Sequence, residues 1–88
     1  MTREVVVPNA LGLHARAAAR FVQTAARFAA QIRVSRGGPT VDGKSLMGVL
    51  LLAASQGSTL RIDADGPDAD AALDALAALV AAGFGEAV

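Results

Sequence analysis

The chain has no cysteine, tryptophan or tyrosine, only three phenylalanines, and a single histidine, His14. Without thiols, disulfides and thiolate metal centres are excluded. One imidazole cannot build a multi-histidine zinc site within one chain. Scarce aromatics and a net charge of zero argue against a nucleic-acid binder. Long hydrophobic runs are missing too: the longest, Ala75 to Ala82, falls far short of the ~20 residues that span a bilayer. The start, Met1-Thr2-Arg3-Glu4, carries no signal-peptide h-region. The expectation is a soluble, cytoplasmic protein that needs no metal or cofactor and does not insert into membranes.

What is present is alanine and an uneven distribution of charge. With 88 residues, 53% of them hydrophobic, the chain suffices for one domain over 1–88 with one core. Many of the apolar residues are alanine, which favours close approach of helices to a sheet. Residues 1–44 carry seven basic side chains against two acidic ones, and residues 45–88 carry one against six. This polarity fits a basic docking face for acidic partners, and equally a set of solvated charges on opposite surfaces.

The order of elements follows from periodicity. Valine-rich Glu4 to Pro8 reads as a strand ending at proline. From Ala15, apolar Ala18, Phe21, Val22, Ala25, Phe28 and Ala29 recur at helical spacing, with Arg16, Arg20, Gln23 and Arg27 on the other side. Ile32 and Val34 alternate with polar residues, Gly37-Gly38-Pro39 turns the chain, and Thr40 to Asp42 forms the return strand of a hairpin. Ser45 precedes a short apolar helix for which Gly57 is placed as the stop. Leu60, Ile62 and Ala64 mark another strand. Gly66-Pro67-Asp68 opens a last helix, with aspartates at its positive end, a stripe of Leu73, Leu76, Ala77, Val80 and Phe84, and Gly83 and Gly85 closing it. The sum is β-α-β-β-α-β-α: an α+β open-faced sandwich, with a four-stranded antiparallel sheet covered on one face by three helices.

His14 stands where the first helix begins. Helix starts leave backbone N–H groups unpaired beside a partial positive charge, which suits phosphate. Histidine can act as a nucleophile. A phosphorylated His14 would therefore sit beside the N–H groups of Ala15 and Arg16 and within reach of the Arg16 guanidinium. A lone histidine at a helix start also occurs as an ordinary surface or capping residue.

"GLHAR", with "GKSLMGVL" and "SQGSTLRI" downstream, resembles the histidine-containing phosphocarrier (HPr) family of the phosphoenolpyruvate-dependent phosphotransferase system. The likeness runs over nearly the whole chain in the same element order. It implies the fold just given and a phosphoryl carrier rather than an autonomous enzyme. His14 would be the phosphoacceptor through Nδ1, with enzyme I as donor, enzyme IIA proteins as acceptors, and Arg16 assisting transfer. One residue departs from the family pattern: Ala17 stands where proline usually follows "HAR".

The second helix supports two readings. Ser45 is an N-cap by position, and by resemblance the site used by HPr kinase/phosphorylase. Leu46, Met47 and Leu50 match the family's partner patch, flanked by Arg20 and Arg27, whereas Val49, Leu52 and Ala53 suit plain core packing. A monomer is expected. The rival from another class is a small α+β regulatory or ligand-binding module in which His14 is merely exposed.

Overall fold

The computed structural model describes residues 1–86. The elements run β1 (Thr2–Val6), α1 (Ala15–Ala25), β2 (Gln31–Ser35), β3 (Val41–Asp42), α2 (Leu46–Leu51), β4 (Thr59–Asp65) and α3 (Ala69–Ala81), closed by a 3-10 turn at Gly83–Gly85. The strands form one antiparallel sheet in the order β1-β4-β2-β3. This is the expected α+β open-faced sandwich with three helices.

Strand register decides which face is buried, because side chains alternate with a period of two. Val5 lies opposite Leu60, Ile32 opposite Ala64 and Val34 opposite Ile62, so the large apolar residues gather on one face. On that face they meet Ala17, Ala18, Phe21 and Ala25 of α1 and Ala72, Leu73, Leu76 and Val80 of α3. The opposite face carries cross-strand Glu4–Arg61 and Arg33–Asp63 neighbours and stays in water.

Several boundaries differ from the sequence expectation, each for a local reason. The first strand is Thr2–Val6, not Glu4 to Pro8, since its pairing with β4 runs out where Val6 meets Thr59. The first helix ends at Ala25, so Phe28 and Ala29 lie outside it. Arg27 and Phe28 turn back on Thr24 and Ala25, and the Asp68 carboxylate accepts the N–H groups of Ala29 and Ala30 at 2.8 Å each. Asp68 is the N-cap of α3, but its side chain ties the α1–β2 loop and makes no cap bond, leaving Asp70 as the acidic residue in the first turn of that helix. The second helix stops at Leu51, well before Gly57. Ala53 adopts a left-handed φ of 50° and is exposed, so it is not a core residue; Val49 and Leu52 are. Gly57 (φ 88°) instead serves the turn into β4, its N–H bonding the Val7 carbonyl. Phe84 is fully buried, but from the terminal turn and not from the α3 stripe.

The Asp68 tie gives a pH prediction. The Ala29 N–H bond lowers the Asp68 carboxyl pKa from 3.8; burial opposes it, and Ala30 and the Lys44 charge add to the lowering. A depressed folded-state pKa stabilises the fold above the unfolded value and loses that contribution as pH falls through the folded one. Asp68→Asn should therefore lower the urea midpoint at neutral pH, and the gap to the parent chain should close progressively below pH 3.8.

Candidate functional site

The site is assembled where the loop 9–13 and the start of α1, contiguous in sequence, meet the turn after α3 from the other end of the chain. The loop is fixed by the Leu13 N–H bond to the Ala54 carbonyl at 2.8 Å. Gly12 is held so close to Ala54 and Ser55 that a Cβ there would lie 2.5 Å from the Ala54 oxygen, and its φ of 64° independently favours glycine. His14 follows directly as the N-cap of α1, with extended backbone angles.

As an N-cap, His14 is unusual in what its side chain leaves undone. Its carbonyl accepts the Ala18 N–H at 2.8 Å, so the helix begins normally. The imidazole makes no cap bond to the helix. Among the described residues, the N–H groups of Ala15, Arg16 and Ala17 meet no backbone acceptor, leaving three donors at the positive end of α1. Proline at position 17 would remove one of them. The Ala17 side chain is buried, so this position also lets α1 settle against the core.

The ring is partly exposed, at 29%, and its Nε2 contacts Oε2 of Glu86. The other Glu86 oxygen accepts from Asn9 Nδ2 at 2.8 Å. Burial raises the Glu86 pKa, but the Asn9 and His14 hydrogen bonds, with the charges of His14 and Arg16, outweigh it and hold the carboxyl below its usual value of 4.5. An ionised carboxylate only accepts hydrogen bonds, so Nε2 is the donor, and Nδ1 meets no partner among the described residues.

Glu86 is brought there by a sharp turn. Gly83, Phe84 and Gly85 all have positive φ, at 64°, 59° and 76°. For a bulky residue such as Phe84 this conformation is strained, and full burial of its ring together with the Arg20 guanidinium bond to its carbonyl holds it. Arg20, expected on a docking face, is thus also a clamp on this turn. Arg16 is exposed on α1, whereas Arg27, expected on the same helix, lies exposed in the turn after its end at Ala25; neither forms an ion pair among the described residues.

On α2, Ser45 is the N-cap, its Oγ accepting the Gly48 N–H at 3.1 Å. Leu46 and Met47 are exposed, at 44% and 69%, while Leu50 is half-buried against the core. Leu51, which the sequence reading did not single out, is more exposed than either, at 73%. Gly48 lets α2 approach β3, since a Cβ would stand 3.3 Å from that of Val41. Sequence reasoning also missed Asn9 and Glu86. No local pattern connects them with His14, which is 72 residues from Glu86; the one available signal was the glycine pair flanking Phe84.

Comparison with known proteins adds a family to this geometry. A family model described as "PTS HPr component phosphorylation site" matches residues 1–82. The chain is 51% identical to a phosphocarrier protein HPr of Cupriavidus necator, over 98% of its own length and 97% of the relative's. It is 44% identical to a phosphocarrier protein NPr of Shewanella violacea, over 99% and 96% of the two chains. Among solved structures, HPr-C-His from Thermoanaerobacter tengcongensis superposes with a TM-score of 0.95 at 41% identity, covering 100% and 99% of the chains.

The His14–Glu86 contact makes a prediction in solution. Following the Glu86 side-chain carbonyl by carbon NMR against pH should give a midpoint below 4.5 in the parent chain. In His14→Ala the midpoint should rise, because burial stays while one hydrogen bond and one charge are lost. An unchanged midpoint would show that the two side chains do not meet in solution.

Proposed function

The chain belongs to the HPr family of phosphocarrier proteins of the phosphotransferase system, and from that premise we propose that His14 accepts a phosphoryl group on Nδ1 from enzyme I and passes it to a histidine of an enzyme IIA protein. HPr proteins are phosphocarriers and not autonomous catalysts. That suits a site with one nucleophile and no second acid or base in contact with Nδ1 among the described residues. The observation that carries the reading is the state of the imidazole: partly exposed, at a helix start its side chain does not cap, with only Nε2 engaged among the described residues.

Phosphoryl transfer needs in-line approach and charge stabilisation more than covalent machinery. The open Nδ1 supplies the lone pair. The N–H groups of Ala15, Arg16 and Ala17 and the Arg16 guanidinium, which have no backbone acceptor and no ion pair respectively among the described residues, supply positive potential for the phosphoryl oxygens. Partners would dock on exposed Leu46, Met47 and half-buried Leu50, with Arg20 on the flanking helix and Arg27 in the turn after it. Leu51 extends the same apolar surface. Ser45 is the residue an HPr kinase/phosphorylase would modify. A phosphate there would suit the start of α2 yet place roughly −2 charge on the docking face.

Incubation with enzyme I and phosphoenolpyruvate should add one acid-labile phosphoryl group per chain. His14→Ala should abolish it, and Arg16→Glu should suppress it with the fold intact. Label retained by His14→Ala would place the acceptor elsewhere. Ser45→Asp should keep its secondary structure and slow phosphorylation by about 10-fold or more, because like charges across an interface cost several kcal/mol. Equal rates would remove Ser45 from the docking surface.

A further inference from the structure

Asn9 is the one buried polar or charged residue among those described, 1% exposed in a core otherwise made of apolar side chains. Both hydrogens of its amide are used. One goes to the Gly12 carbonyl at 2.8 Å, which anchors the side chain to the loop leading into His14. The other goes to Glu86 Oε1 at 2.8 Å, which reaches across to the terminal turn. Its Oδ1 is buried and has no partner among the described residues. Rotating the amide by half a turn would press that oxygen against two acceptors, so only one orientation is available. The position tolerates an orphaned acceptor and retains its two donor bonds.

We infer that Asn9 is a positioning residue: by holding one oxygen of Glu86 it keeps the other on Nε2 of His14, and so fixes the ring in the tautomer whose Nδ1 carries the lone pair. The alternative partner for Glu86 is close, because the Arg16 charge already acts on its carboxylate. Without Asn9 the carboxylate is free to swing to Arg16, which would release the ring and occupy the guanidinium together. Arg20, the other cation facing this turn, is committed to the Phe84 carbonyl and does not compete.

The consequence for transfer follows from proton and electron accounting, and it rests on His14 being the acceptor. The Nδ1 lone pair forms the new N–P bond as the bond between phosphorus and the donor breaks, and the donor atom takes back that electron pair. The proton on Nε2 stays in place throughout. The ring becomes cationic once Nδ1 is substituted, and Glu86 already lies against the nitrogen that bears the proton. With the other tautomer, Nδ1 would have to lose a proton before it could attack.

The test reads the tautomer directly, through nitrogen–proton correlations of the His14 ring at a pH where the ring is neutral. The parent chain should be held largely in the Nε2–H form, and folded Asn9→Ala and Asn9→Ser should move towards a mixture of both forms. Their phosphorylation by enzyme I should slow several-fold with an unchanged affinity for enzyme I. Asn9→Ala combined with Glu86→Ala should add nothing to the tautomer change of Glu86→Ala alone. Should the Asn9 variants fail to fold, the parent chain still decides: its Asn9 amide protons should shift with the Glu86 titration, and that shift should vanish in Glu86→Gln. A folded Asn9 variant with an unchanged tautomer, or amide protons indifferent to the Glu86 titration, overturns the inference. A tautomer change in a chain that takes label somewhere other than His14 would overturn the acceptor reading and leave the positioning role standing.

Discussion

The start of α1 is left electrically unfinished. A helix of 11 residues begins at a residue whose side chain makes no cap bond, and its first three N–H groups meet no backbone acceptor among the described residues. In most helices that deficit is met by a serine, threonine or aspartate immediately before the first turn. Here histidine holds that position and leaves the deficit unmet, its Nε2 turned to the Glu86 carboxylate instead. The rest of the fold can be read as the support this arrangement needs. The sheet presents an apolar face for Ala17, Ala18, Phe21 and Ala25, and the Ala54 carbonyl braces the loop that delivers His14.

Charge balance at the site follows from the same geometry. Glu86 would lower the positive potential at the helix start if it lay against the free N–H groups. Its two oxygens are instead taken by Asn9 and His14. The strained turn at Gly83–Gly85 holds it there, with Phe84 buried and Arg20 clamping the backbone. A short terminal turn is thus tied into the core at one point and into the functional site at the next.

Much of this was legible in the sequence. The period-2 alternation of Leu60, Ile62 and Ala64 and the 3.6-residue spacing from Ala18 to Ala25 gave the sheet and its covering helix, because both patterns report burial on one face. His14, Arg16 and Ser45 lie in contiguous motifs, so the resemblance to a family could point at them. Helix ends were read less well. The α1 stop is enforced by Asp68, which comes from a different part of the chain, and the α2 stop by an alanine in the left-handed region, where a glycine was the expected signal. Asn9 and Glu86 were invisible for the same reason: a contact 77 residues long leaves no trace in local spacing. The charge asymmetry between the halves acquires a meaning in the fold, where α1 and the turn after it keep Arg16 and Arg27 exposed, away from the mixed charges of the open sheet face.

The most direct measurement is which ring nitrogen of His14 carries the phosphoryl group. Phosphorylating nitrogen-15-labelled protein with enzyme I and phosphoenolpyruvate, then recording the phosphorus–nitrogen coupling in the His14 ring, measures it. The geometry predicts coupling to Nδ1, with Nε2 still protonated beside Glu86. Coupling to Nε2 would mean that the carboxylate contact yields during transfer, and the arrangement described here would not be the one that carries phosphate.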